Sequence, residues 1–211
     1  MRDESPAELV CGVVILAAGK SSRMGRPKLL LPWGSTTVLG HLIATWQALR
    51  ARQIAVVIDA SQRHMVEELD RLHFPGGDRI PNPDPERGMF SSIRCAAAWT
   101  GWDAALTHLV VALGDQPQLR PETLGGLLKF GVANRSRICQ PRCNGRSRHP
   151  ILLPKSAFLE LRNDPASDLK AYLMAHAEDC SGFDAVDAGL ELDLDAPADY
   201  ERMRADYNPG Q

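Results

Sequence analysis

The sequence predicts an α/β fold in which helices cover both faces of a mostly parallel central sheet, giving three layers. Continuous apolar runs rich in β-branched residues indicate strands that are buried on both faces. These runs lie at 13–16, 54–58 and 109–113. Segments with helical periodicity alternate with them, at 37–52, 63–72 and 91–100. Strands that alternate with helices are typical of crossover units, which build parallel sheets.

The later part of the chain is less regular. Short candidate strands lie at 137–140, 150–153 and 183–186, and candidate helices lie at 121–130 and 168–177. A last helix is expected to begin at Asp195-Ala196-Pro197, because Asp is a favoured N-cap and Pro fits a first helical turn. No repeat or linker divides the chain, so we expect one domain over 9–206 with flexible ends at 1–8 and 207–211.

The charge balance excludes a global attraction to polyanions. Lys and Arg number 24 against 26 for Asp and Glu, a formal net charge of -2. Neither nucleic acid nor an anionic membrane is therefore an expected partner, and any phosphate site must be local.

Cysteine usage and the apolar runs predict a cytoplasmic protein without a membrane segment. The run at 10–18 is too short to cross a bilayer and follows an acidic leader. Five cysteines, an odd number, suit reduced thiols better than a disulfide framework. Cys139 and Cys143 are the only close pair, and no second pair or histidine partners complete a zinc site.

The segment 16–28 combines small residues, two glycines and four cations directly after the first buried strand. Small residues let backbone N–H groups approach an anion. The planar fork of Arg23 and the ammonium groups of Lys20 and Lys28 would neutralise a triphosphate. A solvated basic turn would explain the cations alone, but the position of the glycines favours a phosphate site.

Two common phosphate-binding motifs do not match this segment. A P-loop requires glycine where Val14 stands. A dinucleotide fingerprint requires glycines where Ala17 and Ser21 stand. The loop is therefore of another kind.

Asp115 follows the apolar run at 109–113, so it is expected at the same carboxyl edge of the sheet as the glycine-containing loop. Mg²⁺ is commonly held by one or two carboxylates together with substrate phosphates, which makes Asp115 the first candidate ligand. The second ligand is Asp195 or Asp193, and capping of the last helix would also explain Asp195.

The residues at 16–32, with the pattern L-A-A-G-x-S-S-R-M-G-x-P-K-L-L-L-P, resemble the signature of the MobA-like nucleotidyltransferases. The similarity is greatest to the molybdenum cofactor cytidylyltransferases. Further blocks follow in the family's order: Asn82-Pro83-Asp84, Gly88-Met89-Phe90-Ser91-Ser92, Gly114-Asp115-Gln116-Pro117, His149-Pro150 and the segment at 193–200. The resemblance implies a single Rossmann-like domain.

The resemblance also implies roles for individual residues. The residues that it assigns to nucleotide binding are Leu16, Ala17, Ala18, Gly19, Ser21, Ser22, Arg23, Gly25, Lys28, Asn82, Gly88, Ser91 and Ser92. It assigns catalysis to Arg23, Lys28 and Asp115. It assigns acceptor binding to Gln116, Arg148 and His149, and Mg²⁺ binding to Asp115 and Asp195. A basic patch of Arg142, Arg146 and Arg148 would suit an anionic acceptor.

The implied reaction is transfer of CMP from CTP to the phosphate of molybdopterin, with a molybdoenzyme or chaperone as a possible client. Ala18 favours CTP, because guanylyl members of the family tend to carry Leu-Ala-Gly-Gly at this point. Arg148 replaces the family's usual glycine before His149, which leaves the acceptor open. Alternatives are GTP with molybdopterin, a sugar or polyol phosphate acceptor, and a noncatalytic nucleotide-binding protein for molybdoenzyme maturation.

Overall fold

The computed structural model describes residues 9–19 and 24–207, and it confirms the three-layer α/β fold. The strands of this part, in chain order, are β1 (Cys11–Leu16), β2 (Pro32–Trp33), β3 (Thr36–Thr37), β4 (Gln53–Ile58), β5 (Arg79–Pro81), β6 (His108–Leu113), β7 (Ile138–Cys143), β8 (Arg146–Ser147), β9 (Ile151–Pro154) and β10 (Cys180–Asp184). Its α-helices are α1 (Val38–Ala48), α2 (Arg63–Arg71), α3 (Met89–Ala98), α4 (Pro121–Ala133), α5 (Lys155–Glu160), α6 (Leu169–Ala175) and α7 (Pro197–Tyr207).

The main sheet has the strand order β10-β7-β9-β6-β1-β4-β5, and β8 pairs with β7. β1 lies at the centre and is parallel to both neighbours, with Leu16 opposite Val57 and Leu113. β5 continues the parallel arrangement beyond β4, whereas β9 is antiparallel to β6 and to β7. The sheet is therefore parallel where the long apolar runs lie and mixed at its other end.

The central strand is buried on both faces, which explains its continuous apolar composition. Val13 and Ile15 pack into a core with α1, α2, α4 and α7. Val14 packs into a second core with α3, α5 and α6. Phe158 of α5 is fully buried in that second core, and burial of such a side chain stabilises the fold by roughly 1.5–3 kcal/mol.

The carboxyl ends of β1, β4, β5 and β6 share one edge because these strands are parallel. The strand contacts continue one residue further, where Ala17 N–H donates to the Val57 carbonyl at 2.8 Å and Gly114 N–H donates to the Leu16 carbonyl at 3.1 Å. The loop after β1 and Asp115 after β6 therefore lie on the same side of the sheet, where open α/β folds bind ligands.

The start of the last helix differs from the prediction. The Ala196 carbonyl accepts from the N–H groups of Asp199 and Tyr200, and the Asp199 carboxylate accepts from Ala196 N–H. Ala196 is thus the N-cap, and the third helical residue closes the cap from within. The prediction of Asp195 as the N-cap is wrong.

Smaller differences concern edge elements. β10 ends at Asp184, so the predicted strand at 183–186 is displaced, and Val186 is exposed. The two-residue strands β2 and β3 and the three-residue strand β5 were not predicted. Tyr207, expected in the flexible end, is the last residue of α7. Among the described helices, none combines the length and apolar character needed to cross a membrane.

Candidate active site

A cleft of about 270 Å³ opens at the carboxyl edge of the sheet, between the ends of β1 and β6. Predicted site residues on its walls are Leu16, Ala17, Ala18, Gly19, Lys28, Gly88, Ser92 and Asp115. Its walls also include Leu29, Pro85, Met89, Leu113 and Gly114, which the sequence analysis did not select as site residues. Gly19 and Asp115, which are 96 positions apart in the chain, thus border the same cleft, as the parallel topology predicts.

Gly114 determines how closely the two sides of the cleft approach. A Cβ atom at this position would lie 2.6 Å from the carbonyl oxygen of Leu16, which belongs to the backbone and cannot move aside. Only glycine therefore permits the hydrogen bond between Gly114 and Leu16, and this bond brings Asp115 beside the end of β1. The position of Gly114 directly after a buried strand was the available sequence signal.

The loop after β1 presents backbone rather than bulky side chains. Ala17 and Ala18 are buried, and Gly19 has open space around the position of a Cβ. Gly25 has a φ of +64°, a left-handed conformation that favours glycine. The predicted residues Ser21, Ser22 and Arg23, and the neighbouring Lys20, lie outside the described residues.

Lys28 lies between two carboxylates. Its Nζ atom is 2.5 Å from Oδ2 of Asp115 and 3.8 Å from Oδ1 of Asp195. Both aspartates therefore surround one cationic centre, although they are 80 positions apart in the chain. All three side chains are partly exposed, so ligands from solution can reach them.

The two aspartates also fit a divalent cation. The described residues contain no group of three or more His, Cys, Asp or Glu side chains that would hold a metal ion on its own. Mg²⁺ does not need such a group, since it keeps waters and takes phosphate oxygens alongside one or two carboxylates. Asp115 and Asp195, already gathered around a positive charge, supply that donor set.

The segment that carries Lys28 is held by the last helix. Tyr200 of α7 donates its hydroxyl hydrogen to the Pro32 carbonyl at 2.6 Å. The Arg26 guanidinium lies 5.8 Å from the centroid of the Tyr200 ring, within the range of a cation–π contact. The same helix follows Asp195, so one element positions both Lys28 and its second carboxylate.

The start of α3 forms the opposite wall of the cleft. Gly88, its N-cap, has a φ of 85° and no side-chain cap bond, which leaves first-turn N–H groups to face a ligand. Asn82 is buried behind this wall, and its Nδ2 donates to the hydroxyls of Ser91 and Ser92. Its Oδ1 accepts from Asp84 N–H. Among the described contacts, Asn82 and Ser91 support the wall while Ser92 lines it.

The predicted acceptor residues divide between two places. Arg148 and His149 line a second cavity of about 480 Å³ beside the cleft. Arg148 is paired with Glu191 at 2.9 Å, and Arg142 and Arg146 are not among the lining residues. The predicted basic patch therefore reaches this cavity only through Arg148.

Gln116 and Asp193 contact each other and line neither of the two cavities. Gln116 is buried and donates to Asp193 Oδ1 at 3.3 Å. Burial lowers the pKa of His149, against the opposing effects of the Val111 carbonyl and of the Asp115 and Asp193 charges. His149 is therefore neutral near pH 7.

Comparison with known proteins agrees with this geometry. A family model described as the MobA-like NTP transferase domain matches residues 13–180. The chain is 28% identical to the molybdenum cofactor cytidylyltransferase of Escherichia coli (strain K12), over 92% of this chain and 95% of that protein. It is 30% identical to the molybdenum cofactor guanylyltransferase of Rhizobium johnstonii, over 74% of this chain and 69% of that protein.

A related solved structure adds a metal to the comparison. The crystal structure of Rv0371C from Mycobacterium tuberculosis H37Rv in complex with manganese is similar with a TM-score of 0.67 and 26% identity, covering 93% of this chain and 98% of that one. The family model covers well over half of the residues. The chain therefore belongs to the MobA-like NTP transferase family, and it is a nucleotidyltransferase of that type.

Proposed function

We propose that this protein transfers CMP from CTP to the terminal phosphate of molybdopterin, or of its molybdenum-loaded form, and releases pyrophosphate. The observation that carries the proposal is the cleft in which Lys28, between Asp115 and Asp195, faces the backbone of the loop after β1. Similarity to the cytidylyltransferase over nearly the whole chain supports the choice of reaction.

Mg²⁺ is the proposed cofactor, and Asp115 and Asp195 would hold it. When bound, it supplies positive charge that offsets the negative charge of the triphosphate. The contact of Asp195 with Lys28 supports its assignment over Asp193, whose carboxylate accepts from Gln116. The structure of a relative in complex with manganese supports a divalent ion as the cofactor.

In the proposed reaction an oxygen of the acceptor phosphate attacks the α-phosphorus of CTP. A new P–O bond forms, the bond from the α-phosphorus to the bridging oxygen breaks, and its electron pair leaves with pyrophosphate. No side-chain nucleophile is required. Arg23, Lys28 and the N–H groups of the loop after β1 stabilise the charge that builds on the nonbridging oxygens.

The nucleotide base is proposed to lie against Leu16, Ala17 and Ala18, with Gly88 and Ser92 across the cleft. Ala18 lines the cleft, and alanine at this position matches the cytidylyl members of the family, whereas the guanylyl members tend to carry glycine. This supports CTP over GTP. Arg148 and His149 are proposed to contact the acceptor.

Pyrophosphate release from each of the four ribonucleoside triphosphates, with Mg²⁺ and with molybdopterin, a sugar phosphate or no acceptor, tests the proposal. We expect release only when CTP and molybdopterin are present together. Release with GTP instead would assign a guanylyltransferase, and release with sugar phosphates alone would assign another acceptor. Tight CTP binding without any turnover would favour a noncatalytic accessory protein.

A further inference from the structure

The second cavity, between α6 and the mixed end of the sheet, carries a lysine that the sequence analysis did not select. Lys170 of α6 lines it together with Arg148, His149 and a largely apolar wall. Building on the proposed function, we propose that this cavity holds the non-reacting part of the acceptor. We further propose that Lys170 is a specificity-determining residue, which binds an anionic group remote from the phosphate that reacts.

The two cavities are adjacent, so one acceptor can reach both. Met89, the first residue of α3, lines the nucleotide cleft and also the second cavity. His149 lines the second cavity and lies close enough to Asp115, on the wall of the first, for its pKa to respond to that charge. An acceptor in the second cavity would therefore present its phosphate toward the nucleotide.

The cavity has an unusually exposed apolar rim. Of the large hydrophobic side chains that are exposed in the described part of the chain, Met89 (44%) and Met174 (69%) both line this cavity. Leu169, Leu173 and Ile151 continue the apolar surface inward. Thioethers adapt their shape to flat ring systems, so this wall suits an unsaturated heterocycle.

Two cations that line the cavity differ in whether they already have a partner. The Arg148 guanidinium is held by Glu191, and Glu191 also accepts from Asn144. Among the described residues, Lys170 makes no side-chain hydrogen bond and no ion pair within 4 Å, and only the more distant charge of Asp168 acts on it. Lys170 is thus the cation that an incoming anion can engage without breaking an existing pair.

The apolar wall and the charge of Lys170 together favour a heterocyclic acceptor over a sugar phosphate. A sugar phosphate would place hydroxyl groups against the methionine and leucine side chains, where they would lose hydrogen bonds to water. A flat heterocycle with a phosphate at one end and an anionic metal or dithiolate group elsewhere would match the apolar wall, the nucleotide cleft and Lys170 together. An isolated surface lysine would explain the charge but not the apolar wall beside it.

The test uses Lys170→Met, which keeps the length of the side chain and removes its charge. Lys129→Met is the matched control, because Lys129 is an exposed lysine on α4 that does not line the cavity. The KM for molybdopterin and the KM for CTP are measured in the full-length protein with Mg²⁺. We expect the acceptor KM to rise about tenfold in Lys170→Met, since a charge-assisted contact is lost, while the CTP KM changes less than twofold.

Lys170→Arg should recover most of the acceptor affinity, and Lys129→Met should match the wild type. An unchanged acceptor KM in Lys170→Met, or an equal rise in both KM values, would overturn the inference while leaving the proposed function intact. If the wild type releases no pyrophosphate with CTP and molybdopterin, the proposed function fails. Quenching of pterin fluorescence then decides the inference separately: binding that is weakened in Lys170→Met supports it, and no binding by the wild type overturns it.

Discussion

The two ends of the central sheet solve different recognition problems. At the parallel end, β1 and β6 bring backbone groups, small residues and Asp115 to a narrow cleft, and the segment before α7 brings Asp195 near Lys28. At the mixed end, β7 and β9 and the short helix α6 surround a larger cavity with long side chains and exposed methionines. Backbone geometry suits the constant part of a substrate, the triphosphate, whereas side chains can be exchanged to suit a different acceptor. Changes at the parallel end should therefore affect turnover, and changes at the mixed end should affect substrate choice.

The largest expected effect is at the parallel end. Asp115→Asn keeps the size of the side chain but removes a charge that faces Lys28 at 2.5 Å. We expect pyrophosphate release to fall by roughly 10³-fold, because a preorganised charged group at the reacting centre is lost. The Mg²⁺ concentration needed for half-maximal activity should also rise. Wild-type rates would remove Asp115 from the site.

Two further aspartate variants sharpen the assignment of the metal. Asp195→Asn should raise the Mg²⁺ requirement in the same direction, since Asp195 faces the same lysine. Asp193→Asn is the matched control, because the Asp193 carboxylate accepts from Gln116 instead. If the control shifts the Mg²⁺ requirement and Asp195→Asn does not, the two assignments must be exchanged.

Lys28→Ala should have the next largest effect. Removal of its charge is expected to lower kcat by roughly 10²-fold with CTP saturating, as loss of one stabilising group at a transition state does. The two carboxylates would then face each other without the lysine, so the apparent affinity for Mg²⁺ should rise. A change confined to the KM for CTP would show that Lys28 only binds the nucleotide.

Gly114→Ala tests whether backbone approach alone maintains the cleft. The added methyl group would lie 2.6 Å from the Leu16 carbonyl oxygen, and the strands β1 and β6 must separate to admit it. We expect a loss of roughly 1–3 kcal/mol in the free energy of unfolding, typical of overpacking, together with reduced turnover. Gly76→Ala is the control, because a Cβ there meets nothing within 4 Å. Equal urea midpoints for the two variants would contradict the role of Gly114.

The strands at the parallel end were predictable from the sequence, whereas those at the mixed end were less so. The buried runs at 13–16, 54–58 and 109–113 lie inside β1, β4 and β6, because strands covered on both faces need continuous apolar residues. Because these strands are parallel, their carboxyl ends share one edge of the sheet, and the loop after β1 lies near Asp115 there. At the mixed end, β10 is an edge strand of partly exposed residues and has no such pattern. The predicted strand at 183–186 therefore began three residues too late.

At the mixed end Arg148 and His149 were predicted, but two further residues of the cavity were missed for a related physical reason. Lys170 and Met174 belong to a helix whose position against β7 and β9 depends on long-range packing, which no local pattern records. Asp195 shows the reverse case, in which a strong local preference misled the prediction. Asp is a favoured N-cap, yet Ala196 takes this position while Asp199 supplies the capping carboxylate.

The smallest expected effect concerns the seam between the two ends, where β6 pairs with antiparallel β9. His108 at the start of β6 is 4% exposed, and burial is the main cause of its lowered pKa. Its Nε2 lies 2.8 Å from the Arg135 carbonyl, which can only accept, and its Nδ1 lies 2.9 Å from the Thr107 hydroxyl. The neutral ring, with a proton on Nε2, satisfies both contacts.

Because the folded protein resists protonation of His108, the unfolded chain binds more protons as the pH falls below 6.5, the ordinary value for histidine. The stabilising contribution is therefore complete above pH 6.5 and declines between that pH and the lowered pKa of the folded state. The urea midpoint of the wild type should fall from pH 7.5 to pH 5.5 by more than that of His108→Gln, which cannot titrate. The partly buried His41 and His149 have lowered pKa values too, so the variant should keep part of the decline. Identical declines would mean that His108 does not couple protonation to the pairing of β6 with β9.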